Sequence, residues 1–152
     1  LSTSDFITIH CSATDKTRHM IDSDALGQMK KTSILVNTAR GPIVDGNALA
    51  DALRDGKIAG AALDVTEIEP IDSADPLLGL PNVIVTPHIA GYSPTFLDEC
   101  PIRQAENVIR VLTGEAPHGL ANPEVIKTIA IMRRTDPGRW EGVPDFSTAL
   151  AV

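Results

Sequence analysis

Long apolar runs, basic clusters, internal repeats and a cysteine framework are all missing from this sequence, and each absence closes off a class of function. No stretch approaches the ~18 consecutive apolar residues of a membrane span, so no membrane partner is expected. Thirteen basic residues stand against 20 acidic ones, a net charge of −7, which argues against a nucleic-acid surface. The two cysteines, Cys11 and Cys100, lie far apart without a framework spacing; they read as reduced thiols in a cytoplasmic protein. His10, Cys11 and His19 superficially suggest metal ligands, but their spacing fits no zinc pattern, and no metal is expected. A targeting peptide is lacking too. What remains is ordinary globular composition, 43% hydrophobic and 22% charged over 152 residues, enough for one real core. The chain starts at Leu1 rather than methionine and is strand-like within a few residues, so the expectation is the later part of a longer protein.

The stretch Ser33-Ile34-Leu35-Val36-Asn37-Thr38-Ala39-Arg40-Gly41-Pro42-Ile43-Val44-Asp45 organises the rest. An apolar, β-branched run leads to an arginine, a tight Gly-Pro turn and an aspartate suited to cap a helix: strand, loop, helix. Around it the same units recur. Asp5–His10 reads as a strand, and Asp22 or Ser23 caps a short helix with Ala25, Leu26 and Met29 on one face. Asp45 caps a helix through Arg54, with Ala48, Leu49, Ala52 and Leu53 inward and Gly56 as its stop. Ile58–Val65 is a strand of small residues, which asks for close packing against it. An irregular acidic segment, 66–81, precedes a buried strand at Asn82–Thr86 that ends in Pro87-His88. This alternation implies right-handed crossovers and a parallel sheet: an α/β chain, the second half of a doubly wound, Rossmann-type sheet with flanking helices. The Gly-x-Gly-x-x-Gly turn of the first half occurs nowhere. Ser93 and Pro94 open a further helix with Ile102, Ala105, Ile109 and Leu112 as its apolar stripe, Pro101 as a kink or fresh start, and Gly114 as terminator. Beyond Asn122 no period is convincing, and His118 with the pair Arg133-Arg134 reads as solvated surface.

Arg40, Glu69 and His88 fall at the carboxyl ends of predicted strands or in the loops after them, where open parallel sheets bind ligands. Alone, Arg40 is most simply a surface arginine paired with an acid, and Glu69 a solvated carboxylate. Together they suit the reduction of a 2-keto acid. That reaction needs a forked cation for the carboxylate, a histidine to protonate the forming hydroxyl, and a carboxylate that orients the imidazole.

Val36-Asn37-Thr38-Ala39-Arg40-Gly41, Ala62-Leu63-Asp64-Val65, Glu67-Ile68-Glu69-Pro70 and Thr86-Pro87-His88-Ile89-Ala90-Gly91 together resemble the NAD-dependent D-2-hydroxyacid dehydrogenases, over roughly Leu1 to Val125. The resemblance implies a substrate-binding Arg40, an acid/base His88 and a Glu69 that pairs with it; Glu67 is the rival, but the family's glutamate directly precedes the proline. It also implies cofactor contacts from His10-Cys11-Ser12 (where the family often has proline at Ser12), Thr38, Ala39, Asp64, His88 and Gly91, with Asp64 accepting from the nicotinamide carboxamide. NAD is the implied cofactor, with NADP left open. A small 2-keto or 2-hydroxy acid is the implied substrate and a homodimer the implied assembly. On this reading 1–114 is the C-terminal part of the NAD-binding domain, 115–130 a return segment toward a substrate domain, and 131–152 an irregular tail. Two alternatives stand beside an enzyme. One is an NAD-sensing corepressor-like module of the C-terminal-binding-protein type, which Gly91-Tyr92-Ser93 resembles, although those proteins carry a bulky aromatic near Gly91. The other is an inactive fragment, since the Gly-rich loop is lacking; the chain in isolation is expected to be inactive.

Overall fold

The computed structural model describes residues 1–145. Four strands, β1 (Phe6–Ile9), β2 (Ile34–Asn37), β3 (Gly60–Leu63) and β4 (Val83–Val85), pair in parallel in the order β1-β2-β3-β4. The chain is therefore α/β with a four-stranded parallel sheet, as the alternation of patterns requires. The helices between the strands are α1 (Ser23–Gly27) and α2 (Gly46–Arg54).

Local signals account for both helices. The Asp22 carboxylate accepts from the backbone N–H groups of Asp24 and Ala25, so Asp22 rather than Ser23 is the cap. Asp45 accepts from the Ala48 N–H at 3.0 Å, which satisfies one of the donors a helix start leaves unpaired. Gly56 follows α2 with a φ of +66°, a conformation open to glycine at little cost. The inward face of α2 is Leu49, Ala50, Ala52 and Leu53, with Ala48 only half-buried. These side chains pack with Leu35, which is 0% exposed, and with Ile9, Leu63, Ile43 and Leu26. Each fully buried leucine or isoleucine contributes roughly 1.5–3 kcal/mol against exposure.

β3 carries small residues for a visible reason. A Cβ on Gly60 would lie 3.0 Å from the Asn82 carbonyl oxygen, so glycine lets the start of β4 come close. β4 itself departs from expectation. Its apolar run suggests a strand buried on both faces, yet Ile84 is 66% exposed. β4 is an edge strand, and on the face where Ile84 and Phe6 point the sheet is open. The acidic segment 66–81 is not wholly irregular: Asp75 caps a 3-10 turn at Pro76–Gly79 that drops Leu77 into the core.

The chain divides into two compact units, one Leu1–Gly91 and one starting at Tyr92. In the second unit α3 (Pro94–Leu112) is one continuous helix that contains Pro101. Neither a fresh start nor a break occurs there; the proline removes one N–H donor and the helix runs on. The Ile102, Ile109 and Leu112 stripe is exposed. A further helix, α4 (Val125–Thr135), and a 3-10 turn at Pro137–Trp140 occupy sequence that shows no convincing period, because Val125, Ile126, Ile129 and Ile131 mask the alternation. Arg133 is not solvated surface. Its side chain is 15% exposed, lies over the Trp140 ring at 4.9 Å and donates to the carbonyls of Val143 and Pro144. Of the tail expected to be irregular, 146–152 lies outside the described residues. Among the described residues, no helix is long and apolar enough to cross a membrane.

Candidate active site

All four strands run in parallel, so the loops that leave β1, β2, β3 and β4 emerge on one edge of the first unit. The loop after β2 is braced from within. Asn37, 1% exposed, accepts from the Ala39 N–H and donates to the Arg40 carbonyl, each at 3.0 Å. A polar residue at the end of an apolar strand was the available signal for this brace. Arg40 is exposed, and its guanidinium donates to the Ala39 carbonyl at 2.6 Å, which leaves most of its five N–H donors for a ligand.

His88 is the most constrained side chain of the group. Its backbone sits in the left-handed region, φ 56°, which costs a non-glycine residue about 1–3 kcal/mol and persists where surroundings over-determine it. Those surroundings are visible. The His88 N–H donates to the carbonyl of Asp64 at 2.9 Å and to that of Thr86 at 3.0 Å. The Asp64 carboxylate, 6% exposed, then accepts from the N–H groups of Ile89 and Ala90, both at 2.9 Å, and from the Thr86 hydroxyl at 2.5 Å. The imidazole Nδ1 meets Glu69 Oε2 at 2.7 Å. Glu69 Oε1 accepts from the Thr66 N–H at 3.2 Å, which ties the carboxylate to the start of its own loop. Glu67 faces elsewhere, toward His19 at 2.7 Å and Arg18 at 3.0 Å.

The site residues fall into two hollows. His10, Cys11, Ser12, Ala13, Thr38, Ala39 and Arg40 line one of about 490 Å³. Asp64, Glu69 and His88 line another of about 400 Å³, with Thr66, Pro70, Leu78, Val85 and Thr86 among its walls. Arg40 and His88 thus border different hollows. Gly91 lines neither, and a Cβ built on it would meet nothing within 4 Å. His10 turns back on its own strand, with Nε2 at 2.9 Å from the Thr8 hydroxyl. Thr86 and Asn37 are side chains whose bracing bonds the motifs did not reveal.

Burial alone would push the Asp64 carboxyl up, and this is the largest single influence on it. The Thr86 hydroxyl, the Ala90 and Ile89 N–H groups and the nearby His88 imidazole together outweigh burial and hold it below the usual carboxylate range. A carboxylate lowered on folding stabilises the protein above its unfolded pKa of about 3.9, and that contribution is lost as pH falls toward the folded value. Asp64→Asn also sets an amide donor against a backbone donor. The variant is expected to be less stable than the parent at neutral pH and to lose less stability below about pH 4. Denaturant midpoints measured against pH check this; parallel curves for the two proteins would contradict it.

Residues 1–90 match the family model described as "D-isomer specific 2-hydroxyacid dehydrogenase, NAD binding domain". Over 127 residues the chain is 49% identical to a glyoxylate reductase of Korarchaeum cryptofilum, covering 84% of this chain and 38% of that protein. It is 45% identical over 130 residues to a glyoxylate/hydroxypyruvate reductase B of Serratia proteamaculans, again 84% of this chain but 39% of the relative. Among solved structures, D-lactate dehydrogenase with NAD+ from Lactobacillus jensenii superposes with a TM-score of 0.68 at 33% identity, over 78% of this chain and 39% of that one. The chain thus spans under two fifths of the length of the relatives it matches.

Proposed function

Because the chain belongs to the D-isomer specific 2-hydroxyacid dehydrogenase family through its NAD binding domain, we propose that it furnishes the acid/base and part of the substrate and cofactor contacts of a reductase of small 2-keto acids. The substrates would be of the size of glyoxylate or hydroxypyruvate, which the names of its relatives specify. The observation that carries the reading is the 2.7 Å contact between His88 Nδ1 and Glu69 Oε2, at the carboxyl edge of a parallel sheet.

The hollow lined by His10, Cys11, Ser12, Thr38 and Ala39 suits a nicotinamide dinucleotide: it is open and lies across the ends of β1 and β2. When bound, the cofactor supplies the hydride. The protein's own part is to hold and to protonate. Arg40 offers parallel N–H donors to the carboxylate of the keto acid, which fixes the carbonyl. Glu69 accepts from His88 Nδ1–H, so the proton to be delivered rides on Nε2, and it passes to the carbonyl oxygen as that oxygen gains charge. Oxidation of the alcohol runs the same proton back to Nε2. Asp64 serves this step by holding the turn that presents His88; its oxygens already take backbone donors, so it positions His88 as well as bordering the cofactor. A complete site on this reading includes surfaces from the remainder of the family's length.

Arg40→Lys tests the clamp. The lysine keeps the charge and loses the fork, so the Michaelis constant for the keto acid is expected to rise roughly tenfold while turnover changes less. Steady-state kinetics of the full-length enzyme decide it, and an unchanged constant would remove Arg40 from the substrate site.

A further inference from the structure

Among the described residues only two outside glycine have a positive φ, His19 at 50° and His88 at 56°. Both are histidines, and each meets one of the two glutamates of a single exposed loop. His88 pairs with Glu69 at 2.7 Å, and His19 Nε2 pairs with Glu67 Oε1 at 2.7 Å. Glu67 and Glu69 are two residues apart where the loop bends, and their side chains reach different partners. One reaches the candidate acid/base. The other reaches back to the body of the unit.

That backward contact is well anchored. The His19 N–H donates to the Pro42 carbonyl at 2.9 Å, and Ile21 and Val44 form a parallel bridge beside it. His19 Nδ1 faces Asp45 Oδ2, the cap of α2, at 3.7 Å. Glu67 also takes Arg18 at 3.0 Å, an exposed pair that contributes little. Apart from this pair, the start of the loop packs its Thr66–Glu67 backbone closely against Gly41. Within it Thr66 bonds to Glu69 and to the Ile68 carbonyl, while Ile68 is 74% exposed.

We propose that His19 and Glu67 are positioning residues for the His88–Glu69 pair, holding the Thr66–Pro70 loop at the height from which Glu69 reaches His88 Nδ1. The inference rests on the acid/base reading above and adds to it a second histidine–glutamate pair that touches neither substrate nor cofactor. A displaced loop leaves the His88 ring unoriented, and misplacements of about 1 Å are enough to lower a rate substantially.

The test compares Glu67→Gln, His19→Ala and His19→Gln with the parent by two readouts. One is the NMR resonance of the His88 Nδ1 proton, with Glu69→Gln as the reference for loss of the contact with Glu69. The other is keto-acid turnover by the full-length enzyme. Glu67→Gln and His19→Ala are expected to move the resonance toward its position in Glu69→Gln and to lower kcat about tenfold. The Michaelis constant for the cofactor should stay within about twofold. His19→Gln, which keeps a donor, should restore most of both. An unshifted resonance in Glu67→Gln and His19→Ala would overturn the proposal, whatever happens to turnover. A shifted resonance in those variants, when the parent itself reduces no keto acid, would uphold the positioning pair and sink the reductase reading instead.

Discussion

On the proposed reductase reading, replacing His88 with alanine is expected to lower keto-acid turnover by about 10²–10⁴-fold, the usual worth of a positioned general acid, while cofactor affinity stays near that of the parent. The imidazole borders its hollow with Glu69 fixed to Nδ1 at 2.7 Å. Its backbone position survives the change in part, because the Asp64 carboxylate holds Ile89 and Ala90 rather than the ring. Loss of the side chain therefore separates proton transfer from binding. Stopped-flow turnover and cofactor titration of the full-length enzyme distinguish the two. Turnover within a few-fold of the parent would remove His88 from the chemistry and leave the 2.7 Å pair as a structural contact.

The second large effect belongs to Gly41. A Cβ there would lie 1.8 Å from the Thr66 carbonyl oxygen, 2.1 Å from its carbon and 2.6 Å from the Glu67 nitrogen. All three atoms are backbone, so no rotamer change relieves the collision; either the turn after β2 or the Thr66–Pro70 loop must move. Overpacking of this kind costs about 1–3 kcal/mol and sometimes more. Gly41→Ala is therefore expected to lower the melting midpoint by at least ~4–8 °C, and to lower turnover as well, since Glu69 travels with the loop. Gly27→Ala is the control. No atom stands within 4 Å of its would-be Cβ, and its effect should stay within about 0.5 kcal/mol. Equal melting curves for Gly41→Ala and the parent would mean that the loop yields without cost.

Where single residues dictate geometry, the sequence was informative. Asp45 before an amphipathic run gave the start of α2 because a carboxylate cap satisfies donors that any helix start exposes. The family resemblance separated Glu69 from Glu67 by its place before Pro70, and it is Glu69 that reaches His88. Long-range geometry was harder. An apolar triplet such as Val83–Val85 signals a strand but not what covers its second face, and Ile84 proved exposed at the sheet edge. α4 was invisible because β-branched residues lower helix propensity and blur the period, while its anchor, Arg133 over Trp140, forms only after the chain turns back. The role of His19 needed two loops 48 residues apart to meet. Spacing within one motif carries no trace of such a meeting.

The all-parallel ladder also governs how this chain can come to be ordered. Phe6 pairs with Ile34, Ile34 with Gly60, and Ala61 with Val83; among the described residues no strand has a hairpin neighbour. Loops of roughly 20–30 residues must close before any ladder bond repays the lost chain entropy, so the first unit has no local nucleus made of strands alone. Its search is that of a high-contact-order topology, slow beside helical bundles. The capped helix α2 and the core leucines it carries, Leu49 and Leu53, are then the natural place for collapse to begin, with β2 and β3 drawn together from either end of that helix.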